Sequence, residues 1–260
     1  MKFSLKAIAA AVVMAAASAG ASAAIDNGAG GNGGLFLSAW DGASSYNYNL
    51  NTSIDGFETA LNSAGKLNLS WGSDFTSSYS SWLSSANKST LEWSILATDT
   101  AGQRRILATV GQENALPAAN RVAGDLRTAA GAIQTYIGTV NPILVGNSAV
   151  TTSNSAASYA GKVGALVYNK FNFDTSGNLL ANSYANGLAF EKTTANATGL
   201  INGVNTAYVD ETVAVRSWIA SDNTLHIGAV AAVPEPTEYA MMLAGLGLVG
   251  FMARRRNKRG

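Results

Sequence analysis

Leu35-Phe36-Leu37-Ser38-Ala39-Trp40, the pair Asp41-Gly42, and then Tyr46-Asn47-Tyr48-Asn49-Leu50 read as two strands and the turn between them. Asp-Gly is a turn dipeptide, and the flanking runs are rich in aromatic and aliphatic residues. Just beyond, Thr52-Ser53-Ile54-Asp55 carries a capping pattern. Ile54, Phe57 and Leu61 fall on one helical face, and Gly65 offers a stop. Residues 78–86, with Tyr79, Trp82, Leu83 and Ala86 together, suggest a second short helix. Leu91, Trp93 and Ile95 alternate with Glu92 and Ser94, as a strand with one buried face should, and Trp93 is expected in the core. Asp99 to Gln103 reads as a turn and Arg104 to Val110 as the return strand.

Pro117 opens a longer helix in which Val122, Leu126, Ala129, Ile133, Ile137 and Val140 recur at helical steps, and Asn141-Pro142 closes it. A Ser/Thr/Asn separator, residues 148–155, follows. Residues 163–173, 187–192, 208–219 and 224–230 then read as further strands. On the other side of the hairpin, Asn27 to Gly34 lacks periodicity and reads as a flexible lead-in. Its Gly28-x-Gly30-x-x-Gly33 has no strand before it and no Gly-Lys-Ser/Thr after it, so it is not a nucleotide loop. No internal repeat is evident. The expected fold of residues 24–233 is mainly β, a sandwich-like domain with one or two inserted helices.

Only 13% of the chain is charged, and it has no cysteine, so disulfides, thiolate nucleophiles and cysteine-based metal sites are excluded. The net charge of +1 hides a segregation. Lys2 and Lys6 sit at one end and Arg254, Arg255, Arg256, Lys258 and Arg259 at the other, so residues 24–233 carry about −4. An acidic middle offers no cationic surface for phosphates, and no nucleic-acid partner is expected.

The two ends have their own logic. Lys2 and Lys6 precede the apolar run 7–17, and Ala21-Ser22-Ala23 fits the small-residue pattern a signal peptidase cuts after. Residues 1–23 are therefore expected to be a signal peptide, removed on export. At the C-terminus, Pro234-Glu235-Pro236 leads into the apolar run 239–253 and then the cluster Arg254-Arg255-Arg256-Asn257-Lys258-Arg259. The prolines lock φ and remove backbone donors, which keeps this stretch extended and open to a processing enzyme. As a helix the apolar run would be roughly 22 Å long, short of a hydrocarbon core of about 30 Å. The basic cluster should stay cytoplasmic, with the preceding domain across the inner membrane. Residues 234–260 thus read as a temporary stop-transfer anchor.

That ordered set of Pro-Glu-Pro, Tyr239-Ala240-Met241-Met242-Leu243-Ala244-Gly245-Leu246-Gly247-Leu248 and arginine cluster resembles the PEP-CTERM sorting signal. The segment is also called the ice-binding protein C-terminal domain, a label that says little about ice. The resemblance implies processing by an exosortase, a membrane-embedded cysteine transpeptidase-like enzyme of Gram-negative bacteria. It also implies delivery to the cell surface or extracellular matrix, in association with exopolysaccharide and biofilm. On it, Pro234, Glu235 and Pro236 are the recognition motif, and Arg254, Arg255 and Arg256 the stop-transfer cluster.

Little in residues 24–233 points to catalysis. His226, the one histidine, lies between Leu225 and Ile227 in an expected strand, where a structural role outweighs a catalytic one. No Gly-x-Ser-x-Gly elbow is present, and two-histidine metal sites are impossible. Residues 174–178 carry side-chain oxygens at alternate positions but lack the glutamate and most carboxylates of a calcium loop. Asp210 and Glu211 are adjacent on a strand and face opposite ways. Neither a cofactor nor a catalytic residue is assigned. Among the five tryptophans, Trp218 shares a strand face with Arg216 and is the candidate for an exposed, sugar-stacking platform. A non-enzymatic surface component that binds polysaccharide is the leading expectation. A secreted hydrolase using carboxylates is the alternative. Ice or mineral binding comes third, because no regular Thr-x-Thr ladder is present.

Overall fold

A computed structural model describes residues 24–63, 67–101, 104–111, 123–163, 181–194, 204–207, 209–210 and 213–229. The hairpin forms as β1 (Gly34–Trp40) and β2 (Ser45–Ser53), antiparallel with Trp40 opposite Ser45 and Leu37 opposite Tyr48. Asp41 holds the turn. Its carboxylate accepts from the backbone N–H groups of Ala43, Ser44 and Asn87 at 3.0, 2.6 and 2.9 Å. Burial pulls the Asp41 carboxyl upward, but these donors outweigh it and hold the group below the usual carboxylate range.

Helix α1 (Ile54–Leu61) starts where the capping pattern puts it, with the Ser53 hydroxyl accepting from the Gly56 N–H. Next come β3 (Asn68–Trp71), α2 (Ser73–Leu83), β4 (Glu92–Thr98), β5 (Arg105–Val110) and α3 (Ala123–Val140). Pro142 closes α3 through the 3₁₀ turn Asn141–Ile143. Then follow β6 (Ser148–Thr151), β7 (Leu188–Thr194), β8 (Val204–Ala207), β9 (Val209–Asp210), β10 (Val213–Ala214), β11 (Arg216–Ile219) and β12 (Leu225–Gly228).

Ten of the described strands make one antiparallel sheet in the order β3-β12-β11-β7-β5-β4-β1-β2-β6, with β8 also paired to β7. The sheet is curled. Trp71, on the first strand of this order, donates its indole N–H to the Leu50 carbonyl of β2, one strand from the other end. Helix α2 lies in the seam. On one side it meets β2 through Tyr46–Ser78 (2.7 Å) and Tyr48–Asp74 (2.9 Å). On the other it meets the β11–β12 turn through Thr76 to the Asn223 carbonyl (3.2 Å) and Asn223 to Ser80 (2.8 Å).

Each sheet face has its own core. On one side Leu35, Leu37, Tyr46, Tyr48, Trp93 and Ile95 pack with Ile54 and Phe57 of α1 and Phe75, Tyr79 and Trp82 of α2. On the other, Phe36, Leu96, Ile106 and Ala108 pack with Ile133, Ile137 and Val140 of α3. Every residue of β1 is buried, because helices cover the sheet on both faces there.

The fold is therefore mainly β, but among the described residues it is not the sandwich expected from the sequence. The layer opposite each face is helical, and ten of the described strands belong to one curled sheet, with β9 and β10 paired apart from it. The lead-in is likewise not free. The Gly31 N–H donates to the Gly28 carbonyl, the Thr100 N–H also reaches Gly28, and the Gly33 N–H donates to Asp99. The separator 148–155 contains strand β6, and α2 begins at Ser73, earlier than the 78–86 reading. Trp93 is in the core as expected, 1% exposed.

Candidate functional site

Strand β11 alternates. Val215 and Ile219 enter the α1/α2 core, so Arg216 and Trp218 point to the opposite face. On β12, Leu225 and Ile227 do the same and His226 joins Trp218, its directly opposed partner in the register. The α3 core takes no described side chain from β3, β11 or β12. Trp218 and His226 therefore stand, partly exposed, on a sheet face that α3 leaves uncovered.

The His226 ring stacks on the Trp218 indole at 5.0 Å between centroids and 12° between planes. Tyr184, from the 3₁₀ turn Tyr184–Asn186, meets the indole edge-on at 5.8 Å and 89°. The Tyr184 hydroxyl donates to the Ala214 carbonyl at 2.6 Å, which fixes the ring. The Arg216 guanidinium lies 5.5 Å from the centre of the Tyr184 ring and donates to the Ala185 carbonyl at 2.9 Å. Gly228 lies beneath the indole. A Cβ there would stand 3.6 Å from the ring and 2.9 Å from the Leu67 carbonyl. Burial pulls the His226 pKa down from its ordinary value, and Asp222 opposes it. The result is a row of three rings flanked by one guanidinium, a surface suited to contact with the apolar faces of sugar rings.

Sequence reading found Trp218 and Arg216 by their alternation. It did not find Tyr184, which is distant in the chain and has no local signal. Of the other tryptophans, Trp40, Trp82 and Trp93 are buried, and Trp71 spends its N–H on the sheet seam.

Asp55, Glu58 and Asp99 are held in ion pairs. Arg105 bonds Asp99 at 2.5 Å, Asp55 at 2.6 Å and, more loosely, Glu58 at 3.4 Å, while Lys192 bonds Glu58 at 2.5 Å. They tie α1 to β5 and β7 and hold the turn that follows β4. Among the described residues no group of three or more His, Asp or Glu is placed to hold a metal ion. The 174–178 loop and Glu211 lie outside the described residues, as does the side chain of Asp210.

The sorting residues Pro234, Glu235, Pro236, Arg254, Arg255 and Arg256 and the apolar run 239–253 also lie outside the described residues. Among the described residues no helix is long and apolar enough to cross a membrane. For the C-terminus the sequence itself decides. Residues 232–256 match the PEP-CTERM protein-sorting motif. The chain ends in that sorting signal, which marks it as an exported protein handed to an exosortase and sorted to the cell surface. No curated protein and no solved structure matches the chain.

Proposed function

We propose that residues 24–233 form a non-enzymatic component of the cell surface or extracellular matrix that holds exopolysaccharide on the Tyr184–Trp218–His226 face. The PEP-CTERM signal supports delivery to the place where such polymer lies. The observation that carries the reading is the aromatic row itself. Its rings stand on a sheet face that α3 leaves uncovered, backed by hydrogen bonds and by Gly228. Rigid rings with few rotors lose little entropy on binding, which suits them to repeated weak contacts with a polymer.

The test is affinity electrophoresis of the exported, processed protein through gels containing polysaccharide from the producing cells, with reducing ends assayed in parallel. Trp218→Ala should weaken retardation about tenfold, the equivalent of roughly 1.4 kcal/mol. Reducing ends should not increase with wild-type protein. Equal retardation of wild type and W218A would remove the face from the function, and steady release of reducing ends would replace binding with hydrolysis.

A further inference from the structure

Ala24 and Ile25 are the first two residues beyond the expected signal-peptidase cut after Ala23. Ala24 is exposed, but Ile25 is 2% exposed and packs in the α3 core with Phe36, Ile133, Ile137 and Val140. The turn that closes α3 holds its backbone. The Asn141 side-chain oxygen accepts from the Ile25 N–H at 2.8 Å, and the Asn141 side-chain nitrogen donates to the Ile25 carbonyl at 3.0 Å. One amide thus satisfies both backbone groups of a residue 116 positions away, as a neighbouring strand would. The residues that follow are tied as well. The Gly34 N–H donates to the Asp26 carbonyl at 2.9 Å, and the Gly28 N–H to the Asp26 carboxylate at 2.9 Å.

A peptidase needs the same groups. It takes its substrate as an extended strand and pairs the backbone on both sides of the bond it cuts. Ile25 is the second residue after the Ala23–Ala24 bond, and its N–H, C=O and side chain are all engaged in the fold. Cutting that bond in the closed domain would require Ile25 to leave the core and Asn141 together. The rate would then follow the small population of locally opened molecules.

We propose that Asn141 is a lock for the new N-terminus, so that removal of residues 1–23 comes before this end of the domain closes. Water adds across the Ala23–Ala24 amide, leaving a carboxylate on Ala23 and an amino group on Ala24. Ile25 then seats against Asn141 and bars further trimming. The proposal rests on the reading of residues 1–23 as a signal peptide. It is independent of the polysaccharide face, because Ile25 sits in the α3 core and Trp218 stands where α3 leaves the sheet uncovered. A sealed end suits a protein delivered outside the cell, since loose chain ends are where proteolysis concentrates.

The experiment uses the exported, processed protein as wild type, Asn141→Ala and Asn141→Asp. Asn154→Ala is the control, because Asn154 donates to the Gly42 carbonyl at the surface. Intact mass during digestion with a broad-specificity aminopeptidase reads the trimming. Wild type and N154A should start at Ala24 and stop once Ala24 is lost. N141A should be trimmed past Ile25 at least about tenfold faster, the equivalent of roughly 1.4 kcal/mol of lost protection. N141D keeps the acceptor and loses the donor, so it should fall between, and unchanged circular dichroism checks that α3 stays folded. The full-length chain, refolded in detergent and given purified signal peptidase, reads the order of events: wild type should be cut at least about tenfold more slowly than N141A. An exported wild type beginning beyond Ile25 would overturn the proposal, and so would wild type trimmed or cut as fast as N141A.

Discussion

Arg105 is the residue on which the most charge converges. Its side chain is 14% exposed, and its tightest partner, Asp99, is 3% exposed, while Asp55 is open to water at 58%. The Asp55 contact therefore contributes little, whereas the Asp99 contact neutralises a buried carboxylate. Arg105→Met should lower unfolding free energy by about 2–4 kcal/mol, and Asp55→Asn by less than about 1 kcal/mol. Urea denaturation of the three proteins measures both, and equal losses would mean that burial is not what sets the energy. His226 gives a pH signature. Its folded pKa is held below the ordinary value, chiefly by burial, so on acidification the unfolded chain takes up the proton first. The stability associated with this group is full above about pH 6.5 and falls as pH drops through 6.5 towards the folded value. Thermal melts at pH 7.5 and 5.5 should show a lower midpoint at 5.5, and His226→Gln should shrink that difference.

At the scale of elements, legibility followed how much of the cause was local. Helix α1 could be read because Ser53 caps it and Ile54 and Phe57 face the core within a few residues of each other. Strand β3 could not. Asn68-Leu69-Ser70-Trp71 is too short to show a period, and it is a strand because the edge of β12 supplies its pairing. Trp218 was legible from its strand face, but its neighbour Tyr184 comes from the turn just before β7, which no local pattern announces. The sandwich expectation failed for the same reason. Alternation shows that a face is buried and leaves open whether a sheet or a helix buries it.

The glycine-rich lead-in was misread because a packed glycine and a free one look alike in sequence. Gly28 sits at φ 71°, and a Cβ there would come within 1.8 Å of the Thr98 carbonyl; at Gly33 the same contact would be 2.0 Å. At Gly30 a Cβ meets nothing within 4 Å. Gly28→Ala should therefore destabilise by at least about 1–3 kcal/mol and loosen the segment, and Gly30→Ala should stay within about 0.5 kcal/mol of wild type. Chemical denaturation distinguishes them, and equal behaviour would mean that the segment is a tether after all.

On the scale of the whole molecule, function depends on a signal that is separate from the folded domain's own stability. Pro234-Glu235-Pro236 precedes the apolar run 239–253 and the arginine cluster, and the PEP-CTERM match spans all three. These parts do different physical work, so they can be separated by mutation. The apolar run and the cations are expected to set insertion and orientation, since moving apolar residues into hydrocarbon is favourable and moving clustered cations across it is not. The two prolines and the glutamate are expected to set what the exosortase can grip, since each proline lacks a backbone donor and the glutamate adds a carboxylate. Replacing Pro234-Glu235-Pro236 by Ala-Ala-Ala should therefore leave insertion intact and stop release. The uncleaved protein should then collect in the inner membrane with residues 24–233 outside the cytoplasm. Replacing Arg254, Arg255 and Arg256 by Asn should instead weaken retention, because only Lys258 and Arg259 remain to hold the tail in the cytoplasm. Fractionation of both mutants beside wild type, probed with an antibody to residues 24–233, reads the outcome. Wild-type release of the Ala-Ala-Ala protein would mean that Pro-Glu-Pro is not what the enzyme recognises, leaving the apolar run and cations to carry the signal alone.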